Sequence, residues 1–218
     1  MDWAANIVSE YRALQLLIPT CNLGLVLVND GSIKNVQKSD FDLLKKEITD
    51  CFIISYEKNQ GKGHALRQGI LISEADFHVF TDIDFPYQLF SVAKIIISVI
   101  ENKGIAAGYR NQTYYKKVPL FRKILSIAFR SFIRFVGVSV SDTQCGLKGF
   151  DNAGKAIFLT TTTERYLFDF EFLILASRQK NIPIYSVPVQ LKDGVVFTTM
   201  GWNVLKTEFF NLIKILMH

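Results

Sequence analysis

Two aspartates separated by one residue, Asp82-Ile83-Asp84, follow an apolar run, Phe77 to Thr81, and precede Pro86. Carboxylates so placed offer hard oxygens to one divalent cation such as Mg2+, which in turn binds the oxygens of a diphosphate. A second phosphate-directed feature is the segment Asn59 to Gly69, where Gly61, Lys62 and Gly63 precede a helix start and Arg67 follows within it. Backbone N–H groups and the positive end of a helix attract phosphate at such a place. No Ser or Thr follows Lys62 and the glycine spacing is not G-x-G-x-x-G, which disfavours a P-loop kinase and a dinucleotide enzyme. Asp169 and Glu171 lie within Phe168-Asp169-Phe170-Glu171-Phe172, and carboxylates among so many aromatics call for a partner or a function. On a helix, positions two apart point in different directions, so one of the two would face a site; pairing with Arg165 or Arg178 is the structural alternative.

The elements that position these residues follow from hydrophobic patterning. Leu25-Val26-Leu27-Val28 is a short apolar run ending in Asn29-Asp30-Gly31-Ser32; Phe52 to Tyr56 ends at Glu57 to Gly61; Phe77 to Thr81 ends at the acidic pair. Each reads as a buried parallel strand with a polar loop. Helical patterns, Phe41 to Ile48 and His64 to Ser73, lie between them, and Ile105 to Gly108 reads as a further strand. Strand, loop and helix in alternation predict an α/β fold, a mostly parallel sheet with helices on both faces, whose ligand crevice lies at the carboxyl ends of the strands. All three acidic or glycine-rich loops fall there.

The chain has 218 residues, 49% hydrophobic and 21% charged, with 13 Gly and 5 Pro, which fits one α/β domain and rules out a disordered or low-complexity chain. No linker or repeat divides it, so residues 1–218 are taken as a single domain. Cys21, Cys51 and Cys145 are too few and too far apart for a disulfide scaffold or zinc ribbon, and His64, His78 and His218 lack metal spacing. Apolar runs are interrupted before they reach bilayer-spanning length, and Asp2 opens the chain where a basic signal region would stand. These features predict a cytoplasmic location.

The net charge of +5 is unevenly spread. Between Asn102 and Ser141 there are eight basic residues and no acidic one. Such a segment suits an anionic partner: phosphate groups, an anionic membrane face or nucleic acid. Within it, about 119–137, Phe121, Leu125, Ala128, Phe132 and Phe135 share one helical face while Arg122, Ser126, Arg130 and Arg134 recur every four residues on another. This predicts a basic amphipathic helix able to lie peripherally on a membrane surface. A second apolar helix is expected at about 202–218.

Five segments in order resemble family 2 of the inverting glycosyltransferases, above all polyprenyl-phosphate sugar transferases of the dolichyl-phosphate mannose and glucose synthase class. They are Val28 to Ser32, Asn59 to Gly69, Thr81 to Asp84, Gly108-Tyr109-Arg110, and Asp142-Thr143-Gln144-Cys145-Gly146-Leu147-Lys148-Gly149-Phe150. The resemblance implies a GT-A fold, Rossmann-like, and use of Mg2+ or Mn2+ with a nucleotide-diphosphate sugar donor. It places Asp82 and Asp84 on the metal. It places Asn29, Asp30, Gly31, Ser32, Asn59, Lys62, Arg67 and Asp82 on the donor, and Arg110, Arg122 and Ser126 on a polyprenyl phosphate acceptor, with no role for nucleic acid. Asp142, Asp169 and Glu171 are the candidate catalytic carboxylates. A lipid phosphate is already anionic near neutral pH and attacks unaided, whereas a sugar hydroxyl must lose a proton to a base. The basic segment therefore favours the phosphate acceptor at the inner membrane face.

One departure stands out. Family members usually begin with a strand ending in a Pro-x-Tyr-Asn type segment, whereas Asp2 to Leu17 reads as the helix that follows it, and Ile18 to Asn22 as a helix end and turn. The resemblance thus implies either sequence upstream of Met1 or an incomplete base pocket. Alternative readings are a transferase acting on a hydroxyl of a surface glycan, a non-catalytic nucleotide-binding or scaffold subunit, and, more weakly, a nucleotidyltransferase.

Overall fold

A computed structural model describes residues 2–110, 142, 145–195, 212 and 215. The expected helix at about 119–137, with Arg122 and Ser126, and most of the expected helix at about 202–218 lie outside the described residues.

The first element is a helix, α1 (Trp3–Leu17), whose amino end is closed by Asp2 accepting from the Ala5 amide at 3.1 Å. Alternating strands and helices follow: β1 (Leu25–Asp30), α2 (Lys38–Glu47), β2 (Cys51–Tyr56), α3 (Lys62–Ile72), β3 (Phe77–Phe80), α4 (Leu89–Asn102) and β4 (Ile105–Arg110). After the basic segment come β5 (Lys148–Asp151), α5 (Asn152–Thr160), α6 (Phe168–Ser177) and β6 (Ile184–Val189). Asp151 starts α5 by capping Gly154 N at 3.0 Å, while its other oxygen accepts from Gly104 N at 2.8 Å and so ties β5 to the start of β4.

The strands form two sheets. β1 pairs in parallel with β2, and β3, β5, β4 and β6 make a four-stranded sheet in that order. β4 and β6 are parallel, while β5 runs against both β3 and β4. Among the described residues no strand joins the two sheets. The expected helix does occupy the amino end, and Ile18 to Cys21 forms a turn closed by Cys21 N donating to Ile18 O at 3.0 Å.

Side-chain alternation assigns the faces. Phe77 and Val79 of β3 and Ala106 of β4 join Leu14 of α1 and Val92, Ile95 and Val99 of α4 on one side. Phe80, Ile105, Ala107 and Phe150 meet α5 and α6 on the other. There Phe150 stacks on Phe158 with centroids 5.3 Å apart and meets Phe172 edge-on at 5.2 Å. The aromatic run Phe168 to Phe172 is thus core. Leu212 and Ile215 pack against the same cluster. The helix α1 also covers β1 and β2 with Ile7, Val8 and Tyr11, and α3 approaches β1 closely at Gly69, where an added Cβ would lie 3.1 Å from Val28.

Register explains why the polar segments converge. Lys148 of β5 stands opposite Phe80 of β3 and Ala107 of β4. The residues just beyond Phe80, just before Lys148 and just beyond Ala107 therefore emerge together at one edge of the sheet. These are Asp82, Gly146 with Asp142, and Arg110.

Candidate active site

The loop after β1 is locked from within. Asn29 Oδ1 accepts from Ser32 N at 3.0 Å, and its amide donates to Ser32 O and Ser55 Oγ, each at 3.1 Å. Both oxygens of Asp30 accept backbone amides of the glycine loop, Gln60 N at 2.7 Å and Gly61 N at 2.9 Å, while Asn59 Nδ2 donates to Asp30 O at 3.0 Å. Gly31 is required here: its φ is +72° and a Cβ would lie 2.6 Å from Asn59 N.

Backbone amides of the glycine loop are engaged by protein. Besides the two amides held by Asp30, Gly63 N and His64 N donate to Glu164 O at 2.7 and 3.3 Å. The Gly63 and His64 amides at the start of α3 are therefore satisfied by protein, because Gly61 and Gly63 let the Thr163-Glu164 backbone approach: added Cβ atoms would lie 2.4 Å from Glu164 O and 2.3 Å from Thr163 O. Arg67 supports the same contact, donating to Thr163 O at 2.8 Å and Thr161 Oγ1 at 3.3 Å. Glu171 completes it by accepting from the Thr162 amide and hydroxyl and from Thr163 N at 2.9, 3.0 and 2.7 Å. Arg67 and Glu171 thus brace a loop.

What the glycine loop presents outward is Lys62. Its ammonium pairs with Asp82 Oδ1 and stands 5.8 Å from the Phe168 ring centroid. Burial lowers the lysine's pKa, but Asp82, Asp169 and Asp84 together raise it above the ordinary value, so it stays cationic. Asp82 and Asp84 are both solvent-accessible, in a turn closed by Phe85 N donating to Asp82 O at 3.0 Å. Gly146 lies beneath, where a Cβ would come within 2.8 Å of Asp82 Oδ2. Two accessible hard carboxylates beside a residue with no side chain suit a divalent cation that keeps further positions for phosphate oxygens and water. Among the described residues no cluster of three metal-ligating side chains occurs, so this pair would share the ion with its ligand.

Behind this front lies a second charged layer. Lys148, fully buried, donates to Cys145 O at 2.6 Å and to Asp169 Oδ1 at 2.8 Å. Burial raises the Asp169 carboxyl, and the ammonium groups of Lys148 and Lys62 oppose that. Sequence reasoning placed Lys148 only within a motif and did not make it a partner of Asp169; the signal available was a lysine alternating with apolar residues in a strand. Asp142 is clamped by Arg110, whose Nε and Nη2 donate at 2.8 Å each and whose backbone N donates at 3.1 Å. Burial pushes the Asp142 carboxyl up, but the Arg110 hydrogen bonds and charge outweigh it and hold it below the usual range. The structure brings together Asp30, Asn59, Lys62, Asp82, Asp84, Arg110, Asp142 and Asp169.

The chain is similar in sequence and in fold to known proteins. The chain is 33% identical over 186 residues to the dolichyl-phosphate beta-glucosyltransferase of Saccharomyces cerevisiae, covering 76% of this chain and 55% of that protein. It is 30% identical over 183 residues to the Homo sapiens enzyme of the same name, covering 78% and 56%. Mannosyl-3-phosphoglycerate synthase from Rubrobacter xylanophilus superposes with a TM-score of 0.65 at 11% identity, over 97% of this chain and 67% of that one. The chain fits the family 2 glycosyltransferases of GT-A fold. Glucosyl-3-phosphoglycerate synthase from Mycobacterium tuberculosis, solved with Mn2+, UDP-glucose and phosphoglyceric acid, shares the fold at a TM-score of 0.57 and 12% identity, over 88% and 67% of the two chains. No family model matches the sequence. The chain spans a little over half the length of the curated relatives named above.

Proposed function

We propose that this chain transfers glucose, with inversion, from UDP-glucose to a polyprenyl phosphate at a membrane surface, using Mg2+ or Mn2+. The sugar and the lipid follow the names of the relatives, and the nucleotide and metals follow the ligands of the GT-A neighbours. Asp82 and Asp84 would hold the metal; when bound, it supplies positive charge against the diphosphate of the donor. Lys62 adds a cation on the same side. Arg110, oriented by Asp142, stands at the end of β4 where the basic segment begins, and with Arg122 and Ser126 would hold the acceptor phosphate. Among the described residues no helix is long and apolar enough to cross a membrane, and a peripheral association through the basic segment is part of this reading.

The observation that carries the choice of acceptor is the state of the carboxylates. Asp142 is bound by Arg110, Asp169 by Lys148, and Glu171 by the Thr162 and Thr163 amides. A group so engaged is a poor general base, and a hydroxyl acceptor needs one. A phosphate monoester attacks as an anion and needs cations to position it, which the site supplies. The test is incubation of the protein with radiolabelled UDP-glucose, Mn2+ and vesicles carrying dolichyl phosphate. Label extractable into organic solvent and released by mild acid is the expected product; label confined to water-soluble glycan would overturn the lipid acceptor.

A further inference from the structure

Asp82 is already paired. Its Oδ1 holds the Lys62 ammonium, while its Oδ2 lies close against Gly146, 2.8 Å from where a Cβ would be, and the same ammonium lies 3.6 Å from that point. Lys62 therefore stands in the space beside the acidic pair where a dication would enter. Both partners are partly open to solvent, at 31% and 40% exposure, so the contact is weak enough to exchange. A dication on Asp82 and an ammonium on the same carboxylate repel each other, so each weakens the hold of the other. The carboxylate of Asp169 is the next negative charge acting on Lys62, but it is already committed to Lys148. A diphosphate arriving with the metal would supply the missing partner.

Resting on the metal site proposed above, we propose that Lys62 is a built-in counter-ion for Asp82, displaced when metal and nucleoside diphosphate bind together. Metal alone then binds more weakly, because the ammonium stands beside it with no new anion to receive it. With diphosphate present the ammonium moves onto phosphate oxygens and the two ligands bind as a unit. By linkage, each ligand raises affinity for the other by the same factor. Lys62 is thereby a positioning residue that couples donor to metal and disfavours bare metal in the site.

The test is titration with Mn2+, following free Mn2+ by its electron paramagnetic resonance signal, with and without UDP. Wild type, Lys62→Met, Lys62→Arg and Asp82→Asn are compared, each checked by circular dichroism for an unchanged fold. Lys62→Met should bind Mn2+ alone roughly fivefold tighter than wild type, as expected for removal of one partly exposed ion pair. It should also show a smaller gain in Mn2+ affinity on adding UDP. Lys62→Arg keeps the charge and should stay within about twofold of wild type. Unchanged or weaker Mn2+ binding by Lys62→Met, with Asp82→Asn still abolishing binding, overturns the counter-ion role and leaves the metal site standing. Mn2+ binding by Asp82→Asn equal to wild type overturns both.

Discussion

Replacing Lys148 by Met tests whether the second charged layer is a structural brace. The side chain is fully buried and its ammonium bonds Asp169 at 2.8 Å and the Cys145 carbonyl at 2.6 Å. Met fills a similar volume, so the packing term is small; the loss is electrostatic. It leaves the Asp169 carboxylate buried without its nearest cation, and breaking such a pair costs about 3–5 kcal/mol. Lys62 acts on the same carboxylate and Asp169 can take up a proton, so the lower end, about 3 kcal/mol, is expected at neutral pH. Replacing Asp169 by Leu in the same chain removes the stranded charge and should recover at least about 2 kcal/mol of that loss, since replacing a whole buried ion pair with apolar groups is often neutral. Urea unfolding followed by far-UV circular dichroism measures both, with an unchanged m-value as the check that the transition is comparable. A loss below about 1 kcal/mol for Lys148→Met, or strict additivity in the double variant, would refute the reasoning.

Gly146→Ala should push the Asp82 carboxylate out of place, because its Cβ would stand 2.8 Å from Oδ2; UDP affinity in Mn2+ falls at least roughly fivefold while stability changes by under about 1 kcal/mol, read by calorimetry. Gly63→Ala meets a backbone carbonyl 2.3 Å away and should instead destabilise the fold by about 1–3 kcal/mol, read as a lower Tm. Arg110 holds the folded Asp142 carboxyl below its unfolded value, so this pair stabilises the protein above about pH 4 and loses that contribution as pH falls through the lower folded value. Asp142→Asn should therefore flatten the acid limb of stability against pH, and an acid limb identical to wild type would contradict the pairing. Asp84→Ala should abolish metal-dependent turnover and leave the fold intact; undiminished turnover removes Asp84 from the site.

The strands that carry the site were legible because each is a short apolar run stopped by a polar loop. Leu25, Phe52, Phe77 and Ile105 begin or fall within the observed strands. The helix α4, rich in isoleucine and valine from Ile95 to Ile100, and the edge strand β6 with Pro188 inside it gave no such signal. Isoleucine and valine suit strands as well as buried helices, and proline is tolerated at Val187-Pro188-Val189 because β6 pairs on one side with β4. The convergence of Asp82, Arg110 and Asp142 could be inferred only from motif order, since it depends on β5 running backwards between β3 and β4. Partners across the chain were beyond sequence: nothing local links Arg67 to Thr163, 96 residues away, or Lys148 to Asp169. The backbone neighbour of the glycine loop was illegible for a related reason. Glycines before a helix are compatible with a bound phosphate and equally with a close backbone neighbour, and here Glu164 is that neighbour.

The central claim is that Asp82 and Asp84 hold a dication against the diphosphate of a nucleotide sugar. Pulsed electron–nuclear spectroscopy of bound Mn2+ in the presence of UDP tests it directly. The account predicts phosphorus hyperfine coupling from the diphosphate in the wild-type protein and its loss in Asp84→Ala. Bound Mn2+ without phosphorus coupling, or coupling that survives in both Asp82→Ala and Asp84→Ala, would contradict it.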